Sequence, residues 1–169
     1  WNWPVSILNT TLYFVVFLQA RLYADALLQV VFTLLGVYGW WSWRFGGAQG
    51  AELPIRRATR AQAALAAALA LAGVALSALV LARATDSPVP LWDSSVLVLS
   101  LVATWGQARK ILESWWVWIA VDVISVPLYL TRALYPTALL YTLFLLLCLS
   151  GVRRWRALLR EPAPARVPP

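Results

Sequence analysis

Asp122 stands near the middle of an otherwise apolar stretch, Ser114 to Thr131, that is long enough to span a bilayer. Trp115, Trp118, Asp122 and Ser125 follow one another at i, i+3, i+7 and i+10. At 100° per residue they share one helix stripe. A carboxylate at membrane depth costs about 3 kcal/mol or more, so it marks a functional site by default. Two indole faces and one carboxylate on a single stripe suit a small, flat organic cation.

Other apolar segments carry polar stripes at the same spacing. Asn2, Ser6, Asn9 and Tyr13 form one face of the first segment. Gln29, Thr33, Gly36, Trp40 and Trp43 form a face of the second, and Ser100, Thr104 and Gln107 a face of the fourth. Polar groups in lipid are penalised unless satisfied, so these faces turn inward. For Ser and Thr, hydrogen-bond glue between helices is a sufficient role. For Asn9 and Asp122 the expectation is a substrate site. Trp115, Trp118, Gln107, Asn2, Tyr13, Gln29 and Thr104 are its further candidates. Trp1, Trp3, Trp41, Trp43, Trp92 and Trp155 fall near segment ends, where Trp commonly anchors at the membrane interface. Gly36 and Gly39 are expected to permit close helix approach.

The background in which these residues sit is that of a polytopic membrane protein. Of 169 residues, 62% are hydrophobic and only 12% charged, against about 25% charged in a soluble domain. With no His and a single Cys, Cys148, the common zinc and haem ligand sets are missing and no cofactor is called for. Triad and His-based acid–base chemistry go with them. An intramembrane enzyme would need a nucleophile, a metal or a carboxylate pair, and Asp122 is the one mid-span carboxylate.

The segmentation predicts six helices, at 4–20, 24–43, 61–82, 91–108, 114–131 and 134–152. This is an all-α fold with a single transmembrane domain over 1–160. The third segment is nearly all Ala, Leu and Val and reads as a linker helix. The Pro-rich tail, 161–169, reads as disordered. The net charge of +7 has its explanation in topology and not in nucleic acid. Arg44, Arg56, Arg57, Arg60, Arg109, Lys110 and five Arg from Arg153 onward fall on one face, and Arg21, Arg83 and Arg132 on the other. By the positive-inside rule the C-terminus is cytoplasmic.

The chain also repeats itself. L-Y-A-D-A-L-L-Q (22–29) matches L-Y-P-T-A-L-L-Y (134–141), and at the same offset Gly39 meets Gly151 and Trp43 meets Trp155. Upstream, one residue of slippage aligns Trp3 with Trp116 and Asn9 with Asp122. Four segments lie between the start of one copy and the start of the other, an even number, so the repeat is parallel, with copies over 1–43 and 91–155 flanking the linker. Sites in such carriers lie between the repeats near the midplane.

N-W-P-V-S-I-L-N (2–9), L-Y-A-D-A-L-L-Q with G-W-W-S-W (22–29, 39–43), Q-A-R-K-I-L-E-S-W-W-V-W (107–118) and V-D-V-I-S (121–125) resemble the PnuC family of bacterial vitamin transporters. The resemblance covers nearly everything except the Ala-rich helix and the tail. It implies a seven-helix 3+1+3 arrangement similar to the SWEET sugar transporters. It also implies facilitated diffusion of nicotinamide riboside across the inner membrane, with trapping by a cytoplasmic kinase, and a homotrimer. Since the family has seven spans, and this sequence opens on Trp1 and contains no Met, one further span is expected upstream. Some nicotinamide riboside carriers of the family have Asn where this chain has Asp122, so thiamine and riboflavin remain open as substrates. A structural or channel-forming subunit is the remaining alternative; its flux would not saturate.

Overall fold

The computed structural model describes residues 2–21, 23–85 and 88–160, with the side chains of 23 and 24 excepted. Trp1, the tail 161–169 and Arg166 with it lie outside the described residues. The chain forms six long helices: α1 (Asn2–Gln19), α2 (Tyr23–Phe45), α3 (Arg60–Ala84), α4 (Pro90–Ala108), α5 (Ser114–Thr131) and α6 (Tyr135–Leu158). The expected segments reappear with ends shifted by a few residues. The largest change is α6, whose helix continues through Arg153, Arg154 and Arg156 to Leu158.

Local chemistry sets the ends. Thr59 and Gln62 form a reciprocal capping box that starts α3. Pro90 opens α4, where a missing N–H costs nothing. Arg21 (φ 59°) and Ala133 (φ 56°) adopt the left-handed conformation that reverses the chain between α1 and α2 and between α5 and α6.

Among the described residues four helices are long and apolar enough to cross a membrane: Asp25–Phe45, Arg60–Ala84, Ser114–Thr131 and Tyr135–Leu158. The other two, α1 and α4, have similar length, but Asn2, Ser6 and Asn9 on one and Asp93, Ser100 and Gln107 on the other dilute their apolarity. The outer surface carries Leu and Val side chains, among them Leu65, Leu71, Leu76 and Leu139 at 61–74% exposure. Such a surface has lipid as its solvent. α3 is apolar all round and lies against α4.

The remaining packing is pairwise: α1 on α2, α5 on α6, α4 between the pairs. The two pairs share one register. α1 and α5 each have 18 residues, and both α5 and α6 start 112 positions after their counterparts. Arg21 donates to the Leu18 carbonyl and Ala133 to the Leu130 carbonyl, each at 3.1 Å, at that same offset. No slippage is needed. Trp3 therefore corresponds to Trp115 and not Trp116, and Thr10, not Asn9, corresponds to Asp122. The reason is steric: a β-carbon on Gly39 would lie 2.5 Å from the Trp3 ring, and one on Gly151 2.7 Å from the Trp115 ring. Each glycine is the seat of one tryptophan, and the two seats match.

Candidate functional site

A cavity of about 870 Å³ lies between the α1–α2 pair and α4, α5 and α6. Of the residues expected at a site, Trp115, Trp118, Asp122, Gln107, Thr104, Asn2 and Asn9 line it. Tyr13 and Gln29 do not. Tyr13 lies on the polar stripe of α1 but beyond the cavity, half exposed, with its ring against Phe17 at 5.7 Å. Gln29 shares its face with Thr33 and Gly36, and that face packs on α1: Thr33 and Thr10 exchange a 2.8 Å hydrogen bond, and Ile7 sits on Gly36. Here the Thr side chains are the expected interhelical glue.

Asp122 is the chemical centre. Its side chain is only 2% exposed, and one carboxylate oxygen has no hydrogen-bond partner. The thiol of Cys148 on α6 is its polar neighbour. An unpartnered buried carboxylate is costly. The indole Nε1 of Trp115 is likewise buried without a partner. Gln107 is held in place on both sides: Ser114 Oγ donates to its Oε1 at 2.9 Å, and Trp43 Nε1 donates to its backbone carbonyl at 2.8 Å.

Four tryptophans form a cluster of which two, Trp3 and Trp115, line the cavity. Trp3 meets Trp43 edge to face at 5.4 Å and 88°. Trp115 meets Trp155 at 5.4 Å and 84°. The two pairs touch through Trp43 and Trp155 at 6.0 Å. Lys110 places its ammonium 5.0 Å from the Trp43 ring centroid. The interfacial role expected of Trp3, Trp43 and Trp155 is thereby corrected. Trp3 is 6% and Trp155 7% exposed, and their rings face one another because edge-to-face stacking and burial outweigh anchoring. Trp41 and Trp92, both more than half exposed, fit the interfacial role.

Sequence reasoning missed several lining residues: Trp3, Asp25, Tyr129, Tyr141 and Cys148. A signal existed for Tyr129, seven positions from Asp122 on the same stripe, and for Tyr141 and Cys148, which share that spacing on α6. Asp25 lay in the repeat motif in plain view. A second cleft, about 300 Å³, runs beside α3 and is walled by Ala63, Ala66, Ala67 and Ala70 against Leu99 and Val102. It offers little polar chemistry. Among the described residues no group of three or more His, Cys, Asp or Glu could hold a metal ion.

Comparison with known proteins gives this site its context. The family model described as nicotinamide mononucleotide transporter matches residues 1–157. The nicotinamide riboside transporter PnuC of Escherichia coli strain K12 is 30% identical over 95% of this chain and 77% of its own length. The riboflavin/roseoflavin transporter RibM of Streptomyces davaonensis is 33% identical over 92% of this chain and 74% of its own. A crystal structure of the vitamin B3 transporter PnuC superposes with a TM-score of 0.70 at 23% identity, over 94% of this chain and 72% of that one. These relatives are transporters and not enzymes, and the helices and the match over nearly the full chain agree: the protein belongs to the nicotinamide mononucleotide transporter family, that of the PnuC carriers.

Proposed function

We propose that this chain takes up nicotinamide riboside across a bacterial inner membrane by facilitated diffusion. The observation that carries the reading is Asp122, buried with a free oxygen in a cavity walled by Trp115 and Trp118. The pyridinium ring stacks between or against the indoles, and the carboxylate offsets its charge. Gln107, Asn9, Asn2 and Thr104 supply hydrogen bonds to the amide and ribose. All six helices cross the bilayer as part of a seven-helix 3+1+3 arrangement akin to the SWEET carriers, with α3 as the linker. The basic end, including the C-terminus, faces the cytoplasm. There a kinase phosphorylates the vitamin and holds it inside. The carrier works as a homotrimer, and each protomer alternates by rocking one three-helix unit against the other.

A second reading is favoured by the RibM relative, a riboflavin/roseoflavin transporter. Riboflavin is neutral and gains less from a carboxylate; thiamine is a flat cation and gains as much. Thermal stabilisation of the purified protein by each vitamin separates the three, since a ligand bound to the folded state raises its apparent stability. Nicotinamide riboside alone is expected to shift the transition. A shift with riboflavin alone would overturn the cation reading.

A further inference from the structure

We propose that the cavity holds a second, weaker subsite for the same flat cation, at the end away from the tryptophan cluster, formed by Asp25 and the aromatic trio Tyr129, Tyr141 and Phe144. The inference rests on the cationic substrate argued above.

The lining is the ground: a second aromatic cluster and a second carboxylate stand on the wall of the same cavity. Tyr129 and Tyr141 pack at 5.1 Å and 38°, and Tyr141 meets Phe144 at 5.8 Å and 69°. All three rings line the cavity, each packed on the next. Aromatic faces attract cations. Asp25, in the first turn of α2, lines the same cavity, is exposed, and has no ion-pair partner among the described residues. Asp93 nearby on the cavity wall is held differently, in a 3.6 Å pair with Arg132.

Rings plus one carboxylate thus occur twice along one path: Trp115, Trp118 and Asp122 deep in the cavity, then the trio and Asp25 toward the far end. Both sets line the one cavity. A ladder of moderate sites lets a cation be captured at the mouth and passed inward without being trapped.

The test uses the full chain in proteoliposomes, with nicotinamide riboside and thiamine as probes, at low and high salt. Asp25→Asn is expected to raise the half-saturating concentration about two- to fivefold at low salt, with the difference fading at high salt, as for an exposed charge. Tyr129→Leu is expected to raise it as well, and Tyr129→Phe to restore it, because the ring and not the hydroxyl does the work. If wild type transports a cation and Asp25→Asn matches it in half-saturation at both salt levels, the outer subsite is overturned while the inner site stands. If Tyr129→Phe is as impaired as Tyr129→Leu, the aromatic half is overturned. If wild type takes up neither cation, both this inference and the proposed function fall.

Discussion

Trp43 and Trp155 meet at 6.0 Å across the boundary between the two helix pairs, and each carries a second tryptophan edge-on. The contact is tilted, at 53°, where the outer two are close to perpendicular. It links α2 to α6. A double-mutant cycle of Trp43→Leu and Trp155→Leu, read by thermal unfolding in detergent, should give a coupling of about 0.5–1.5 kcal/mol. A coupling near zero would show that the rings are neighbours without being partners.

Asp122 should matter to cations and little to neutral vitamins. Asp122→Asn keeps the shape and a hydrogen-bonding group but removes the charge. Nicotinamide riboside uptake should weaken about tenfold or more, on the scale of a charge-assisted interaction of about 1.5–3 kcal/mol. Asp122→Ala should weaken it further. Unchanged half-saturation in both variants would remove the role assigned to the carboxylate.

The two glycine seats should be intolerant. A methyl at Gly151 would stand 2.7 Å from the Trp115 ring, which also packs edge to face on Trp155 at 5.4 Å. Gly151→Ala should lower stability by about 1–3 kcal/mol and reduce uptake together, since the displaced ring belongs to the site. Gly39→Ala should do the same through Trp3. Melting temperature and uptake measured on one preparation decide it: a stable variant with normal uptake would show that the ring relocates freely.

Thr10 and Thr33 predict the opposite pattern. Their 2.8 Å hydrogen bond joins α1 to α2, and neither residue lines the cavity. Replacing either with Val should cost about 0.6 kcal/mol, typical of interhelical bonds in membranes, and leave vitamin uptake unaltered. A loss of uptake without a loss of stability would place the pair in the transport path.

Helix number, helix positions and the stripe around Asp122 were legible because each is periodic: a long apolar run is a span candidate, and 100° per residue is a face. Gln107, Asn9, Asn2 and Thr104 reached the cavity on that logic alone. Tyr13 and Gln29 obeyed the same periodicity and still missed it. Periodicity gives the face of a helix but not what that face meets, and the face of Gln29 meets α1. Trp3, Trp43 and Trp155 misled for a related reason. Proximity to a segment end is shared by an interfacial anchor and by a ring in a tryptophan cluster, and only the partner ring tells them apart. One residue of slippage entered the repeat because matching letters, Asn with Asp, outweighed the constant spacing that the glycine seats enforce.

The unbroken register pairs Thr10 with Asp122, and this has a consequence for how such a chain can have come about. At one position the first half has a hydroxyl tied to its neighbouring helix, and at the equivalent position the second half has a buried carboxylate. An assembly of two identical halves could offer two carboxylates at this level or none. Two would face each other across the axis in a low-dielectric cavity and repel strongly. Joining the halves in one polypeptide removes that restriction, because each copy can then change alone. A single off-axis charge is available only to a molecule whose symmetry is approximate.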